Sequence, residues 1–144
     1  MNTIPKNTPG SKELFTLQLQ SKLESITELE NLIENLKERF AIGEEYFGNI
    51  MIALSEAVIN AINHGNKLNP NKKVYINLEV NDGRQFIFTV ADEGDGFDYE
   101  NIPDPTLPEN IENPSGRGVF IMKNLADQFI FSNAGSEIEL HFKI

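Results

Sequence analysis

The chain contains no cysteine and no tryptophan. The first absence excludes disulfides and cysteine-built zinc or iron–sulfur sites, and it fits a reducing cytoplasm. Long apolar runs are lacking too. No stretch is long enough to span a membrane, and the N-terminal MNTIPKNTPGSK has no apolar core of the kind a signal peptide needs. The expectation is a soluble, cytoplasmic protein with no membrane association. Basic residues are few, 12 Lys and Arg against 22 Asp and Glu, for a formal net charge of -10. That balance argues against direct, nonspecific binding to nucleic acid or to an anionic membrane, and favours a partner with a basic surface. It leaves an anionic ligand open, because backbone N–H groups and helix N-termini hold phosphate without a basic surface. A length of 144 residues suits one domain with a real core.

Residues 1–12 read as a flexible arm rich in Pro, Asn, Thr and Gly, and 13–144 as a single domain. Phe15, Leu17 and Leu19 alternate with polar residues, which predicts a half-buried strand. Ile26, Leu29, Ile33, Leu36 and Phe40 follow a helical period, with Gly43 expected to end that helix. A second helix is predicted from about Glu44 to His64, stopped by Gly65-Asn66. Lys67 to Lys72 reads as a polar turn. Val74 to Val80 and Phe86 to Ala91 are strands around the hairpin signal Asn81-Asp82-Gly83-Arg84. Asp92 to Gly118 is a long connection with four prolines, of the sort that forms lids and binding segments. A short helix over Val119 to Ala126 and two last strands, Phe129 to Phe131 and Ile138 to Ile144, complete the chain. About five strands, mostly joined as hairpins, and three helices predict an α+β fold, a two-layer sandwich with helices on one face of a mostly antiparallel mixed sheet.

Three stretches carry chemistry. In IMIALSEAVINAINHGN, at ~100° per residue, Glu56, Asn60 and Asn63 fall within ~60° of one another, opposite Phe47, Met51, Leu54, Val58 and Ala61. An ionised Glu on so apolar a helix lines a cavity or sits in a thin solvated stripe, and this helix alone does not choose. Asp92-Glu93-Gly94-Asp95-Gly96 follows an apolar strand. Its glycines allow close approach of the backbone, and an Asp at a strand end can accept a hydrogen bond from an exocyclic amine such as that of adenine. A calcium loop of EF-hand type is set aside, because Gly94, Gly96 and Pro103 stand where ligands are needed. Ser115-Gly116-Arg117-Gly118 opens a helix, where free N–H groups and the helix dipole favour phosphate. No Walker loop and no Gly-x-Gly-x-x-Gly pattern occurs.

Taken in order, Glu56-x-x-x-Asn60, Asp92-x-Gly94-x-Gly96 and Gly116-x-Gly118 resemble the ATP site of the GHKL superfamily, whose fold is the Bergerat sandwich. The wording SEAVINAINHGN, VADEGDGFD and SGRGVFIMKNLAD is most similar to the serine kinases that act as bacterial anti-sigma factors. The resemblance implies Glu56 as general base, Asn60 as magnesium ligand and Asp92 as adenine reader. It implies Gly94 and Gly96 as close-approach glycines, and Gly116 and Gly118 as phosphate-side glycines. Asn63 shares the Glu56 face and would touch phosphate or magnesium through water. Arg117, the only basic residue between Asp92 and Met122, would contact nucleotide or partner. Roles for His64 and Lys67 stay open, and Asp127 reads as structural. Pro114 departs from family members that carry Arg before the Ser-Gly of the lid, which bears on lid and partner contacts.

The implied function is an ATP- and Mg2+-dependent protein-serine/threonine kinase that phosphorylates an anti-sigma-factor antagonist and sequesters a sigma factor, as a homodimer. One alternative is a nucleotide-dependent binding switch without phosphotransfer, and another is a detached histidine-kinase catalytic domain. The acidic lid residues Asp98, Glu100, Asp104, Glu109 and Glu112 read as a partner surface or a solvated one.

Overall fold

A computed structural model describes residues 11–94, 117–132 and 136–144. Among the described residues five strands form one sheet: β1 (Lys12–Gln20), β2 (Lys73–Asn81), β3 (Gln85–Ala91), β4 (Gln128–Ser132) and β5 (Glu137–Lys143). Their order is β1-β2-β3-β5-β4, and every neighbouring pair is antiparallel. The expected alternation sets one face inward. One row across the sheet is Phe15, Leu78, Phe88, Leu140 and Phe129, and the next is Leu17, Ile76, Val90, Ile138 and Phe131. Three α-helices are described: α1 (Ile26–Phe40), α2 (Glu44–Asn60) and α3 (Arg117–Leu125). A 3-10 turn, Leu23–Ser25, leads into α1. Leu29, Ile33 and Leu36 of α1, Ala53, Leu54 and Val58 of α2, and Met122 of α3 are buried in a core shared with the inward rows. Helices on one face of an antiparallel sheet make the two-layer sandwich that the patterning predicts. No helix among the described residues is long and apolar enough to cross a membrane.

The ends of β2, β3, β4 and β5 shift by at most one residue from the sequence expectations, and four other boundary differences have a local reason. Lys12 pairs with Asn81 and opens β1, so the arm expected over 1–12 gives up its last residue to the sheet. Gly43 does not end α1. Ala41 does, in the left-handed region at φ 52 with its N–H on the Lys37 carbonyl, while Gly43 is the N-cap of α2. The predicted helix to His64 stops as an α-helix at Asn60 and continues as a π turn, Ala61–Gly65, closed by the Asn66 N–H on the Ala61 carbonyl at 2.8 Å. Finally α3 begins at Arg117, two residues before the apolar spacing starts. The hairpin signal holds: Asp82 at φ 58 and Gly83 at φ 66 take the left-handed conformations that its turn requires.

Ala41 gives the first testable expectation. A Cβ in the left-handed region is strained where glycine is not, so Ala41→Gly should stabilise the fold by about 0.5–1 kcal/mol, read as a higher denaturant midpoint at unchanged slope. A lower midpoint would mean that the cap is held by something other than backbone conformation.

Candidate functional site

The site is built on α2 and its π extension. Glu56 and Asn60, one helical turn apart, are half-buried, while their neighbours Ala57, Val58 and Ala61 are buried. The first residues of α3 are laid against this pair. A methyl group at Gly118 would lie 2.7 Å from Glu56 Oε2 and 3.0 Å from Asn60 Nδ2. Hydrogen at that position therefore lets the start of α3 approach a carboxylate and an amide.

A second cluster forms where the π turn meets the end of β3. Asp92 lies two residues past the inward-facing Val90, so the pleat turns its carboxylate toward the helices. Its N–H donates to the Ser136 carbonyl, and its Oδ1 accepts from the Gly94 N–H at 2.8 Å. A Cβ on Gly65 would collide with this carboxylate, and a Cβ on Gly94 would collide with the Gly65 carbonyl. Burial pushes the Asp92 carboxyl above its ordinary range, against smaller opposing effects from the Gly94 N–H and the Lys72 charge. From Glu56 to Gly65 is nine residues, roughly 13 Å at a helical rise. One helix thus holds two polar clusters apart on the length scale of a nucleotide, a carboxylate and amide under a helix N-terminus at one end and a desolvated carboxylate among glycines at the other.

Of the expected site residues, Glu56, Asn60 and Gly118 meet in the first cluster, and Asp92 and Gly94 in the second. Asn63 is half-buried on the π turn, past the end of the regular α-helix that carries Glu56. His64 and Lys67 are exposed. Gly96, Gly116 and Pro114, with the acidic lid, lie outside the described residues, as does the side chain of Arg117. Asp127 is structural: its Oδ2 accepts from the Lys143 N–H at 2.6 Å, and its own N–H donates to the His141 carbonyl. Sequence reasoning missed Gly65 and Asn66, taken only as a helix stop. Asn66 is buried, and its Oδ1 accepts from the Glu93 N–H at 2.7 Å.

The groups fit a nucleotide: a carboxylate that can accept from an exocyclic amine, set among glycines that allow close packing, and an amide beside a second carboxylate at the start of a helix. This defines a nucleotide-binding two-layer α+β protein. Comparison with known proteins agrees. The family described as the histidine kinase-like ATPase domain matches residues 19–142. A "Serine-protein kinase RsbW" of Oceanobacillus iheyensis is 26% identical over 127 residues, covering 84% of this chain and 80% of that one. An "Anti-sigma F factor" of Anoxybacillus flavithermus is 31% identical over 133 residues, covering 88% and 75%. Among solved structures, a Mycobacterium tuberculosis protein with RsbU and RsbW domains shares the fold at TM-score 0.64 and 13% identity, covering 91% of this chain and 32% of that one. The chain belongs to the histidine kinase-like ATPase domain family, and within it to the anti-sigma-factor serine kinases.

Gly118 supplies a second expectation. In Gly118→Ala the added methyl meets the mobile end of Glu56 rather than backbone, so the fold should persist while the carboxylate is pushed aside. Phosphate transfer from ATP should fall on the order of 10-fold with little change in thermal midpoint. A variant that transfers at the wild-type rate would show that the approach of α3 to Glu56 is incidental.

Proposed function

We propose that the chain is a Mg-ATP-dependent protein kinase that phosphorylates a serine or threonine of an anti-sigma-factor antagonist and, in another complex, sequesters a sigma factor. The observation that carries the reading is Gly118 against Glu56 and Asn60. A carboxylate and an amide lie beside the start of a helix there, which supports a reading in which Glu56 is the base and the terminal phosphate of a nucleotide is held at that helix start. ATP use follows from the family; magnesium is supported by the donor set, since an amide oxygen with waters suits a hard cation that bridges phosphates. When bound, that cation would offset charge on the transferred phosphoryl group. Asn60 would hold it, with Asn63 acting through water. Glu56 takes the proton from the attacking hydroxyl, the oxygen takes the phosphoryl group, and ADP leaves. Asp92 accepts from the adenine amine, Gly94 and Gly96 let the loop close on the base, and Gly116 and Gly118, with Arg117, receive the phosphates.

The names of the relatives support the partners, and the reading includes a homodimer. The test is label from γ-labelled ATP in a purified antagonist of this type. Acid-stable phosphoserine or phosphothreonine is expected. No transfer despite Mg-ATP binding would favour a nucleotide-dependent binding switch, the reading that Pro114 in the lid motivates. Label on a histidine would instead make the chain a histidine-kinase catalytic domain.

A further inference from the structure

We propose that Asn66, together with Ser21, is the positioning residue for Asp92, fixing the loop that reads the base to the end of the helix that carries Glu56 and Asn60. The inference rests on the nucleotide reading above, and it concerns residues that touch neither nucleotide nor acceptor.

Asn66 is 1% exposed, and each polar atom of its side chain has a partner. Its Nδ2 donates to Ser21 Oγ at 2.8 Å and to the Lys73 carbonyl at 2.9 Å, and its Oδ1 accepts from the Glu93 N–H at 2.7 Å. Ser21, also 1% exposed, passes its hydroxyl hydrogen to the Lys72 carbonyl at 2.6 Å. The Glu93 carboxylate returns to the chain by accepting from the Lys73 N–H. Four segments are tied at this point: the exit from the π turn and the nearby entry to β2, with the distant end of β1 and exit from β3. A buried amide with all its groups satisfied fixes geometry strongly, because any displacement leaves a donor or acceptor unpaired away from water.

The bond to Glu93 bears on the site. It holds the peptide next to Asp92, so the carboxylate cannot swing away from α2 without breaking it. In the other direction Gly65 and Gly94 leave no room, since a single methyl at either would collide with the opposing segment. Packing on one side and the Asn66 amide on the other thus bracket Asp92. The discrimination that an acceptor gives between an amine-bearing base and one without it depends on that placement to within a fraction of an ångström.

The test measures, by titration calorimetry on the full chain, the affinities of ATP and of purine riboside triphosphate, which lacks only the exocyclic amine. Wild type, Asn66→Ala and Ser21→Ala are compared. Wild type should prefer ATP by about 10-fold or more, as a hydrogen bond to a charged acceptor supports. Asn66→Ala should lose about 5- to 10-fold in ATP affinity while the analogue changes by less than about two-fold, so that the preference collapses. Ser21→Ala, which frees one amide hydrogen of Asn66, should move the ratio the same way by about two- to three-fold, and it carries the test if Asn66→Ala does not fold. Equal losses for both nucleotides, or an unchanged ratio, would overturn the proposal and leave Asn66 a general stabiliser. No preference in the wild type would overturn the adenine reading itself, and this inference with it.

Discussion

Glu56→Gln is expected to keep Mg-ATP affinity within about three-fold of wild type and to lower phosphate transfer by about 100- to 10,000-fold, the span general-base catalysis usually covers. Glutamine keeps the volume of the side chain and an acceptor oxygen, so packing under Gly118 is preserved. What it cannot do is take a proton from a hydroxyl. In free-energy terms the loss is about 2.7–5.4 kcal/mol of transition-state stabilisation with almost none of ground-state binding. The measurement is single-turnover transfer from γ-labelled ATP into the antagonist, with nucleotide affinity determined separately. Gly118→Ala, whose carboxylate is present but displaced, should fall between wild type and Glu56→Gln. If Glu56→Gln transferred phosphate at a third of the wild-type rate or better, Glu56 would be no base, and the proximity of Asn60 and Gly118 would need another explanation.

The parts of this site that were legible in the sequence are those in which local pattern and chemistry coincide. Glu56 and Asn60 interrupt an apolar helix at a spacing that puts both on one face, and Asp92 directly follows an alternating strand, where a side chain leaves the end of the sheet free to meet a ligand. The hairpin at Asp82 and Gly83 was legible for the same reason, since its turn chemistry lies in adjacent residues. What was not legible depends on distant partners. Asn66 looks like an ordinary helix stop until Glu93, 27 residues away, and Ser21, 45 residues away, are brought to it. Gly65 looks like a cap until the Asp92 carboxylate arrives against it. The π turn over Ala61–Gly65 has no local signature either. It ends where Asn66 and Gly65 meet partners from other segments. The strand order was hidden too, because β5 pairs with β3, far back in the chain, as well as with its hairpin partner β4.

Asp92→Asn is expected to weaken ATP binding by about 100-fold while making the nucleotide-free protein more stable at neutral pH. Asp92 Oδ1 is engaged by the Gly94 N–H, and the carboxylate lone pairs that this bond does not use are the proposed acceptors for an amine. Asparagine would keep the bond to Gly94 and present its own NH2 to the amine, donor against donor. The stability effect comes from the same burial that makes the carboxylate selective. Desolvation raises the folded-state pKa above the ordinary aspartate value. The contribution of this carboxyl to stability is therefore complete below that ordinary value and is lost as pH rises through the raised one. At neutral pH the empty site carries the cost in full. A neutral amide carries it at no pH, so the stability difference between variant and wild type should grow from strongly acidic solution to neutrality and then level off. Nucleotide binding runs the other way. Wild-type affinity should fall as pH drops through the raised pKa, and the difference from Asp92→Asn should narrow with it. Thermal denaturation without nucleotide and calorimetric titration with ATP, both followed across that range, measure the two limbs. A less stable variant at neutral pH, or ATP affinity within about three-fold of wild type, would separate Asp92 from the base it is proposed to read.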